Sequence, residues 1–215
     1  MILHSRPIAL DCFRSLRGSS SISPTSLGFR DRRVGPLSER TVILDRDGVI
    51  NEDSDDFIKS PEEWEPIPGS LEAIELLTRR GYRIFVITNQ SGIARGYFDA
   101  TVLDAIHQKM VNLVEARGGR IEAIFHCPHG PEDFCHCRKP KPGLFESLRD
   151  QYGLDLTGVP AIGDSFRDLE AARAVGATPL LVETGKGLRT LKHHPDLDVP
   201  VFSNLYEAAQ YILLS

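Results

Sequence analysis

The stretch TVILDRDGVIN (41–51) decides the fold class. It opens with a short apolar run that stops at a carboxylate, Asp45, and a second carboxylate, Asp47, stands just before a turning glycine. Apolar runs of this length, bounded by turn residues, are typical of a fully buried strand in a parallel sheet. The stretch therefore predicts a buried strand with acidic residues at its carboxyl end.

Downstream of this strand the chain alternates strands and helices. Further strands are predicted at 82–88, 121–127, 159–164, 178–184 and 199–202. Helices are predicted at 68–81, 99–119, 143–153 and 166–176, and a last one close to the end of the sequence. Ser70 is predicted near the N-cap of the first helix, and KHHPD (192–196) is predicted to be a loop. Apolar strands alternating with helices predict a three-layer α/β/α sandwich around a central parallel sheet.

Length and composition narrow the class of protein. The 215 residues suit one main domain, and 41% hydrophobic with 26% charged residues excludes full disorder. No apolar run approaches the ~20 residues that span a bilayer, and the net charge of −5 gives no support for nucleic-acid binding. We therefore expect neither membrane nor nucleic acid as a partner. With no obvious dimer seam, we expect a monomer.

Residues 1–40 differ in composition from residues 41–215. They contain seven Arg, eight Ser and no Lys, against three acidic residues. Such a segment is predicted to be disordered, or to lie upstream of the true start of translation, for example at Val34. An organelle transit peptide is the less favoured alternative. We expect residues 41–215 to form the functional domain.

The predicted strand ends carry polar residues suited to one site. These are Asp45 with Asp47, Thr88 with Asn89, Cys127, and Asp164 with Asp168. In a parallel sheet, ligands bind outside the carboxyl ends of the strands. Three of these four ends suit phosphate and metal chemistry, although each short motif alone also fits an ordinary polar turn.

A phosphate monoester would give each of these residues a task. Asp45 can attack phosphorus, and Asp47 can protonate the leaving oxygen and then activate water. Mg²⁺ would neutralise the negative charge of the paired carboxylates. Its ligands would be Asp45, the Asp47 carbonyl and Asp164. Thr88, Asn89 and the backbone N–H groups toward Gly92 can surround phosphate oxygens.

The segment CPHGPEDFCHCRKPKPG (127–143) holds three of the four cysteines. Cys127, His129, Cys135 and Cys137 offer four soft ligands, which suits a closed tetrahedral zinc site of structural type. Unmetallated thiols are the alternative, and His126 and His136 are competing ligands. Zinc would hold the loop that presents Arg138 and Lys139 to an anion. Clustered cysteines also favour a reducing compartment, and hence the cytoplasm.

Four motifs in order resemble those of the haloacid dehalogenase superfamily of phosphatases: DRDGVIN, VITNQSG, CRKPKPG and GDSFRD. The chain is most similar, over about residues 41–187, to D-glycero-D-manno-heptose 1,7-bisphosphate phosphatases, whose relatives include histidinol-phosphate phosphatases. The resemblance implies Asp45 as nucleophile, Asp47 as general acid/base, Asp164 as a Mg²⁺ ligand, and Thr88 and Lys139 as groups that stabilise the phosphoryl group. It also favours His129 as the zinc ligand. No long insertion is present for a large cap domain.

The same resemblance implies hydrolysis of the 7-phosphate of a heptose bisphosphate, in nucleotide-activated heptose synthesis for lipopolysaccharide. Expected substrate contacts are Arg46, Asp53, Asn89, Gln90, Ser91 and Arg138, with Arg95 and Lys186 as weaker candidates. Ser165 stands where such phosphatases often have Lys, which removes one cationic contact. A histidinol-phosphate phosphatase and a non-catalytic zinc-containing binding module are the alternatives; Arg138 argues against the first, and Asp45 with Asp47 against the second.

Overall fold

A computed structural model of the chain describes residues 40–214, so the predictions for residues 1–39 lie outside the described part. The strands are β1 (Thr41–Leu44), β2 (Arg83–Asn89), β3 (Ala123–Cys127), β4 (Pro160–Gly163), β5 (Thr178–Val182) and β6 (Val201–Phe202). The helices are α1 (Ser70–Arg79), α2 (Ala100–Ala116), α3 (Gly143–Tyr152), α4 (Phe166–Arg173), α5 (Gly187–His193) and α6 (Leu205–Leu214).

All six strands run parallel in one sheet, in the order β3-β2-β1-β4-β5-β6. The chain builds outward from β1 to β3 on one side and then from β4 to β6 on the other. The order therefore reverses between β1 and β4, which pair through Ile43 with Ala161 and Leu44 with Ile162. A crevice opens at the carboxyl ends of strands at such a reversal point. Asp45 and Asp164 follow directly after these two strands.

Helices cover both faces of the sheet, as the sequence predicts. Successive residues of a strand point to opposite faces. Val42 and Leu44 join a buried cluster with residues of α1, α2 and α6, whereas Ile43 joins a second cluster with residues of α3 and α4. The predicted three-layer α/β/α sandwich is confirmed.

One local prediction was wrong, and another needs a refinement. Residues 187–193, predicted as no particular element, form α5, so His193 belongs to a helix and only the end of KHHPD is a loop. The N-cap of α1 is Gly69, with a φ of 89°, while the Ser70 hydroxyl donates to the Ile50 carbonyl at 2.6 Å. Ser70 therefore lies next to the N-cap, as predicted, and its hydroxyl makes a long-range contact instead of capping the helix.

The long connection from β1 to α1 forms part of the wall of the crevice. The connection from β1 to α1 contains two isolated bridges, between Asp47 and Asn51 and between Asn51 and Pro66, and no helix or strand. Trp64 of this connection is fully buried in the first core cluster and anchors it. Among residues 40–214 no helix is both long and apolar enough to cross a membrane.

Candidate active site

A cavity of about 300 Å³ opens at the carboxyl ends of the strands, next to the reversal point. Its lining comes from the loops after β1, β2 and β5, from the connection after β3, and from the segment after β4 together with the first turn of α4. The predicted residues that line it are Asp45, Asp47, Asp53, Thr88, Asn89, Gln90, Ser91, Arg138, Lys139 and Asp164. The sheet therefore brings together residues up to 141 positions apart, from Asp45 to Lys186, which is one of the weaker candidates for a substrate contact.

Asp45 lies at the floor of the cavity with its carboxylate held on both sides. Its Oδ1 accepts the Arg46 backbone N–H at 2.7 Å, and its Oδ2 lies 3.0 Å from Lys139 Nζ. Burial raises the pKa of Asp45 to about 7, and the charges of Asp168 and Asp47 add to that rise while Lys139 opposes it. Burial is therefore the main cause of the raised pKa of Asp45, and Lys139 offsets it only in part.

Asp164 approaches the β1 loop closely because two glycines leave room for its carboxylate. A side chain on Gly48 or Gly185, both with positive φ, would overlap Asp164 Oδ2. That oxygen accepts the Lys186 backbone N–H at 2.7 Å. Burial, and then the charges of Asp168 and Asp45, raise the pKa of Asp164 well above its usual range.

This acidic group fits a magnesium ion. Ligand oxygens of Asp45, Asp164 and Asp168 lie within 4.8 Å of one another. Carboxylate oxygens are the ligands that Mg²⁺ takes in phosphate-handling sites. A divalent cation would relieve the repulsion that raises the pKa values of Asp45 and Asp164.

Lys139 is buried between two carboxylates. Its Nζ lies 3.0 Å from Asp45 Oδ2 and 2.5 Å from Asp168 Oδ1, and donates to the Ile87 carbonyl at 2.8 Å. Burial acts to lower the pKa of Lys139, but Asp168 and Asp45 outweigh it and the pKa is raised, so the ammonium stays charged. Asn89 holds the Lys139 backbone through two 3.1 Å hydrogen bonds.

Asp168 was not among the predicted site residues, although it stood in the list of strand-end carboxylates. It accepts from the Ser165 hydroxyl at 2.5 Å and from the Ser165 N–H at 3.0 Å, and it faces Lys139. Burial acts to raise its pKa, yet Lys139 and Ser165 lower it, so Asp168 is ionised. The signal was the second Asp of GDSFRD, four residues beyond Asp164.

Asp47 accepts hydrogen bonds from three side chains. Arg46 donates to both of its oxygens, from Nε at 3.0 Å and from Nη2 at 2.8 and 2.9 Å. Asn51 donates to Oδ1 at 2.9 Å and Gln90 to Oδ2 at 2.8 Å. Burial acts to raise the pKa of Asp47, but Arg46 and these hydrogen bonds lower it, so the resting side chain is a carboxylate.

Arg46 was expected to contact the substrate, but its side chain is turned away from the cavity. Arg46 has no exposed surface and does not line the cavity, because its guanidinium turns toward Asp47 and His107 inside the protein. Only its backbone N–H, bound to Asp45, faces the reacting region. Gln90, by contrast, lines the cavity and links Asp47 to Thr88, whose Oγ1 it meets at 2.9 Å.

Farther out, the cavity wall carries cations and one ion pair. Arg138 lines it together with Arg95 and Arg167, and donates to the His129 carbonyl at 3.1 Å. Burial, and then the nearby charge of Arg167, lower the pKa of Arg138, although a guanidinium remains charged. Asp53, predicted to contact substrate hydroxyls, forms an ion pair with Lys186 across the cavity.

The cysteine loop brings the predicted zinc ligands together. Cys127 Sγ lies 3.6 Å from His129 Nδ1, 3.7 Å from Cys135 Sγ and 3.3 Å from Cys137 Sγ, and His129 Nδ1 lies 3.2 Å from Cys137 Sγ. Three sulfurs and one imidazole nitrogen at such spacings fit a tetrahedral zinc ion with no open position. The competing His136 instead meets Glu146 at 2.7 Å.

Comparisons with known proteins agree with this geometry. A HAD-hydrolase-like family model matches residues 136–208, and a polynucleotide kinase 3 phosphatase model matches residues 40–164. The 7-phosphatase of D-glycero-β-D-manno-heptose 1,7-bisphosphate from Pseudomonas aeruginosa is 52% identical over 177 residues, which is 82% of this chain and 99% of the relative. Its counterpart from Bordetella bronchiseptica is 55% identical over 152 residues, or 71% of this chain and 85% of the relative.

Solved structures give the same result. The D,D-heptose 1,7-bisphosphate phosphatase of B. bronchiseptica, complexed with magnesium and phosphate, superposes with a TM-score of 0.79 at 49% identity, covering 81% of this chain and 98% of that one. The enzyme from Burkholderia thailandensis does so with a TM-score of 0.63 at 40% identity, covering 82% and 99%.

The parallel sheet, the carboxylates at its reversal point and the buried lysine together define a haloacid dehalogenase-like phosphohydrolase. Within that class, the chain belongs to the D-glycero-β-D-manno-heptose 1,7-bisphosphate 7-phosphatase family.

Proposed function

We propose that this protein is a Mg²⁺-dependent phosphatase that removes the 7-phosphate of D-glycero-β-D-manno-heptose 1,7-bisphosphate. The observation that carries the proposal is the cavity in which Asp45, Asp164 and Lys139 converge. Its chemistry matches a phosphate monoester, and the relatives at 48 to 55% identity carry this activity and the β anomer in their names.

The first step is the transfer of the phosphoryl group to Asp45. An oxygen of Asp45 attacks phosphorus, the bond between phosphorus and the C7 oxygen breaks, and Asp47 gives a proton to that oxygen. The pKa of Asp47 is lowered at rest. The negative charge of the arriving phosphate raises the pKa of a neighbouring carboxyl, which supports proton uptake by Asp47 once substrate is bound.

The second step releases inorganic phosphate. Asp47, again a carboxylate, takes a proton from water, the water oxygen attacks phosphorus, and the bond to Asp45 breaks. Lys139 and Thr88 border the reacting region, and their donors suit the charge that develops on the phosphoryl oxygens. Mg²⁺ bound by Asp45, Asp164 and the Asp47 carbonyl would neutralise negative charge on the same group.

The second phosphate of the substrate needs a separate cationic contact. Arg138 is the proposed contact, because its guanidinium lines the cavity and is tied to the zinc loop through the His129 carbonyl. Asn89, Gln90 and Ser91 are proposed to contact the transferred phosphate through the turn after β2. We propose that the protein works as a monomer. We also propose that it works in a reducing compartment, the cytoplasm, because the three thiols of the zinc site must stay reduced to bind zinc.

Phosphate release from a panel of substrates tests the proposal. The panel holds both anomers of heptose 1,7-bisphosphate, histidinol phosphate and fructose 1,6-bisphosphate, with Mg²⁺ and zinc-replete protein, and Asp45→Asn is the control. We expect the β anomer to give the highest kcat/KM and the control to be inactive. Preference for histidinol phosphate would replace the proposed substrate, and no activity on any compound would favour a binding module.

A further inference from the structure

Outside the cavity, Arg46 and His107 form a buried pair that the reaction steps above do not use. Arg46 is fully buried, and His107, on α2, is 4% exposed. Their side chains meet between Arg46 Nη1 and His107 Nε2 at 3.2 Å. The pair joins the loop after β1 to a helix that covers one face of the sheet.

The chemistry of the pair fixes the state of His107. A guanidinium only donates hydrogen bonds, so Nε2 of His107 must accept and the ring proton must sit on Nδ1. Burial lowers the pKa of His107 well below its usual value, and the charges of Arg46 and of His126 lower it further. The His126 ring centre lies 6.0 Å from that of His107. His107 is therefore a neutral acceptor.

Each nitrogen of the Arg46 guanidinium has a partner. Nε and Nη2 donate to the Asp47 carboxylate, and Nη1 donates to His107. The guanidinium is planar and rigid. The hydrogen bond from Nη1 to His107 therefore also sets the orientation of Nε and Nη2, which donate to Asp47. Without an acceptor at position 107, a buried N–H would lose its partner and the group would gain freedom to turn.

We propose that His107 is a positioning residue for the phosphatase reaction: it holds the Arg46 guanidinium, and through it orients the Asp47 carboxylate toward the oxygen that leaves. The inference rests on the proposed function, since it assumes that Asp47 carries the proton. Neither His107 nor the Arg46 side chain lines the cavity. The loss of the His107 side chain should therefore lower kcat and leave KM nearly unchanged.

A comparison of two leaving groups tests the positioning role. His107→Leu removes the acceptor, and His107→Gln keeps one that can face Arg46. Met110→Ala, on the same helix and fully buried, is the control for general destabilisation. Heptose 1,7-bisphosphate needs a proton on its leaving alkoxide, whereas p-nitrophenyl phosphate releases a stable anion without one. Rapid quench measures phosphorylation of Asp45 by each substrate, and urea unfolding measures stability.

We expect His107→Leu to slow phosphorylation by the bisphosphate about 10- to 100-fold, the range typical of misplaced general acids and their supports. Phosphorylation by p-nitrophenyl phosphate should stay within about threefold of wild type, and His107→Gln should recover most of the loss. Equal loss on both substrates, or equal activity of the Leu and Gln variants, would overturn the inference. Wild-type protein inactive on the bisphosphate would instead overturn the proposed function.

Discussion

At the scale of single residues, Asp45 links the charge of the site to the stability of the fold. Its pKa is about 7 in the folded protein and near 4 in an unfolded chain. Between these values the folded state holds a proton that the unfolded state has released, so the contribution of Asp45 to stability falls as pH rises from about 4 to about 7. Asp164, with its raised pKa, acts in the same direction.

We predict that Mg²⁺-free wild type loses stability relative to Asp45→Asn as pH rises through this window, by a few kcal/mol in all. The quantity to measure is the difference in free energy of unfolding between the two proteins. His107, whose pKa is lowered, makes stability rise with pH, and this contribution is present in both proteins and cancels in the difference. Urea unfolding between pH 5 and 8 gives that difference. Added Mg²⁺ should remove the pH-dependent loss. A constant difference across the pH range would contradict the assignment.

Lys139 is the residue whose loss should affect chemistry and folding together. Lys139→Met leaves Asp45 and Asp168 without the cation between them. We expect kcat to fall about 100- to 1000-fold and the free energy of unfolding to drop by about 3–5 kcal/mol. Lys141→Met, two residues on and exposed, is the matched control and should change kcat little. Steady-state kinetics and urea unfolding measure both effects; near-normal kcat in Lys139→Met would refute the role.

At the scale of elements, the zinc loop is the connection after β3 that carries Arg138 and Lys139. Cys135→Ser removes one ligand from a half-buried position. We expect the variant to bind less zinc and to lose about 10-fold or more in kcat/KM for the bisphosphate, because the loop no longer fixes these two cations. The sheet should remain folded by circular dichroism, since most of the core lies outside the loop. A zinc-free variant with full activity would show that zinc does not order the site.

A second connection joins the loops after β1 and β5 through the ion pair of Asp53 and Lys186. The Lys186 backbone also binds Asp164, so the pair connects the metal site to the loop over the cavity. We predict that Lys186→Met raises KM several-fold and costs about 0–1 kcal/mol of stability, as for a partly exposed ion pair. Asp53→Asn and the double variant complete the cycle. If the effects on KM simply add, the pair does not act as a unit.

The sequence predicts the elements that repeat a strong pattern, and it misses those set by contacts across the fold. The strands and most of the helices follow from apolar runs, and the cavity follows from the polar residues at the strand ends. The helix α5 was missed because its seven residues carry only two buried positions, Gly187 and Thr190. Ser70 lies beside the N-cap as predicted, but the bond from its hydroxyl to Ile50, 20 residues away, does not follow from the local pattern.

Arg46 shows the same limit at the site itself. It was expected to contact the substrate, and nothing local in the sequence indicates that its side chain turns inward. The reason lies 61 residues away, where α2 places His107 against it. Asp168 could have been found from spacing, because it follows Asp164 by four residues at the start of the predicted helix. The direction of the Arg46 side chain is set by a contact between distant elements, and local propensity carries no information on such contacts.

At the scale of the whole molecule, the described residues contain a six-stranded sheet, two buried clusters and the cavity. The most N-terminal contribution to the sheet is β1, which begins at Thr41 and lies between β2 and β4. These features support one functional unit of residues 41–215. A chain shortened to residues 36–215 keeps a lead-in to this central strand, including Arg40.

We predict that the shortened chain matches the full chain in kcat/KM within about twofold and in free energy of unfolding within about 1 kcal/mol, because the buried clusters and the lining of the cavity are retained. Light scattering during size-exclusion chromatography should give the mass of one chain for both proteins, in line with the proposed monomer. A loss of activity at unchanged mass would assign residues 1–35 a part in the site. A change in mass would instead assign residues 1–35 a part in assembly. Measuring both mass and activity therefore distinguishes a role in the site from a role in assembly, which activity alone could not do.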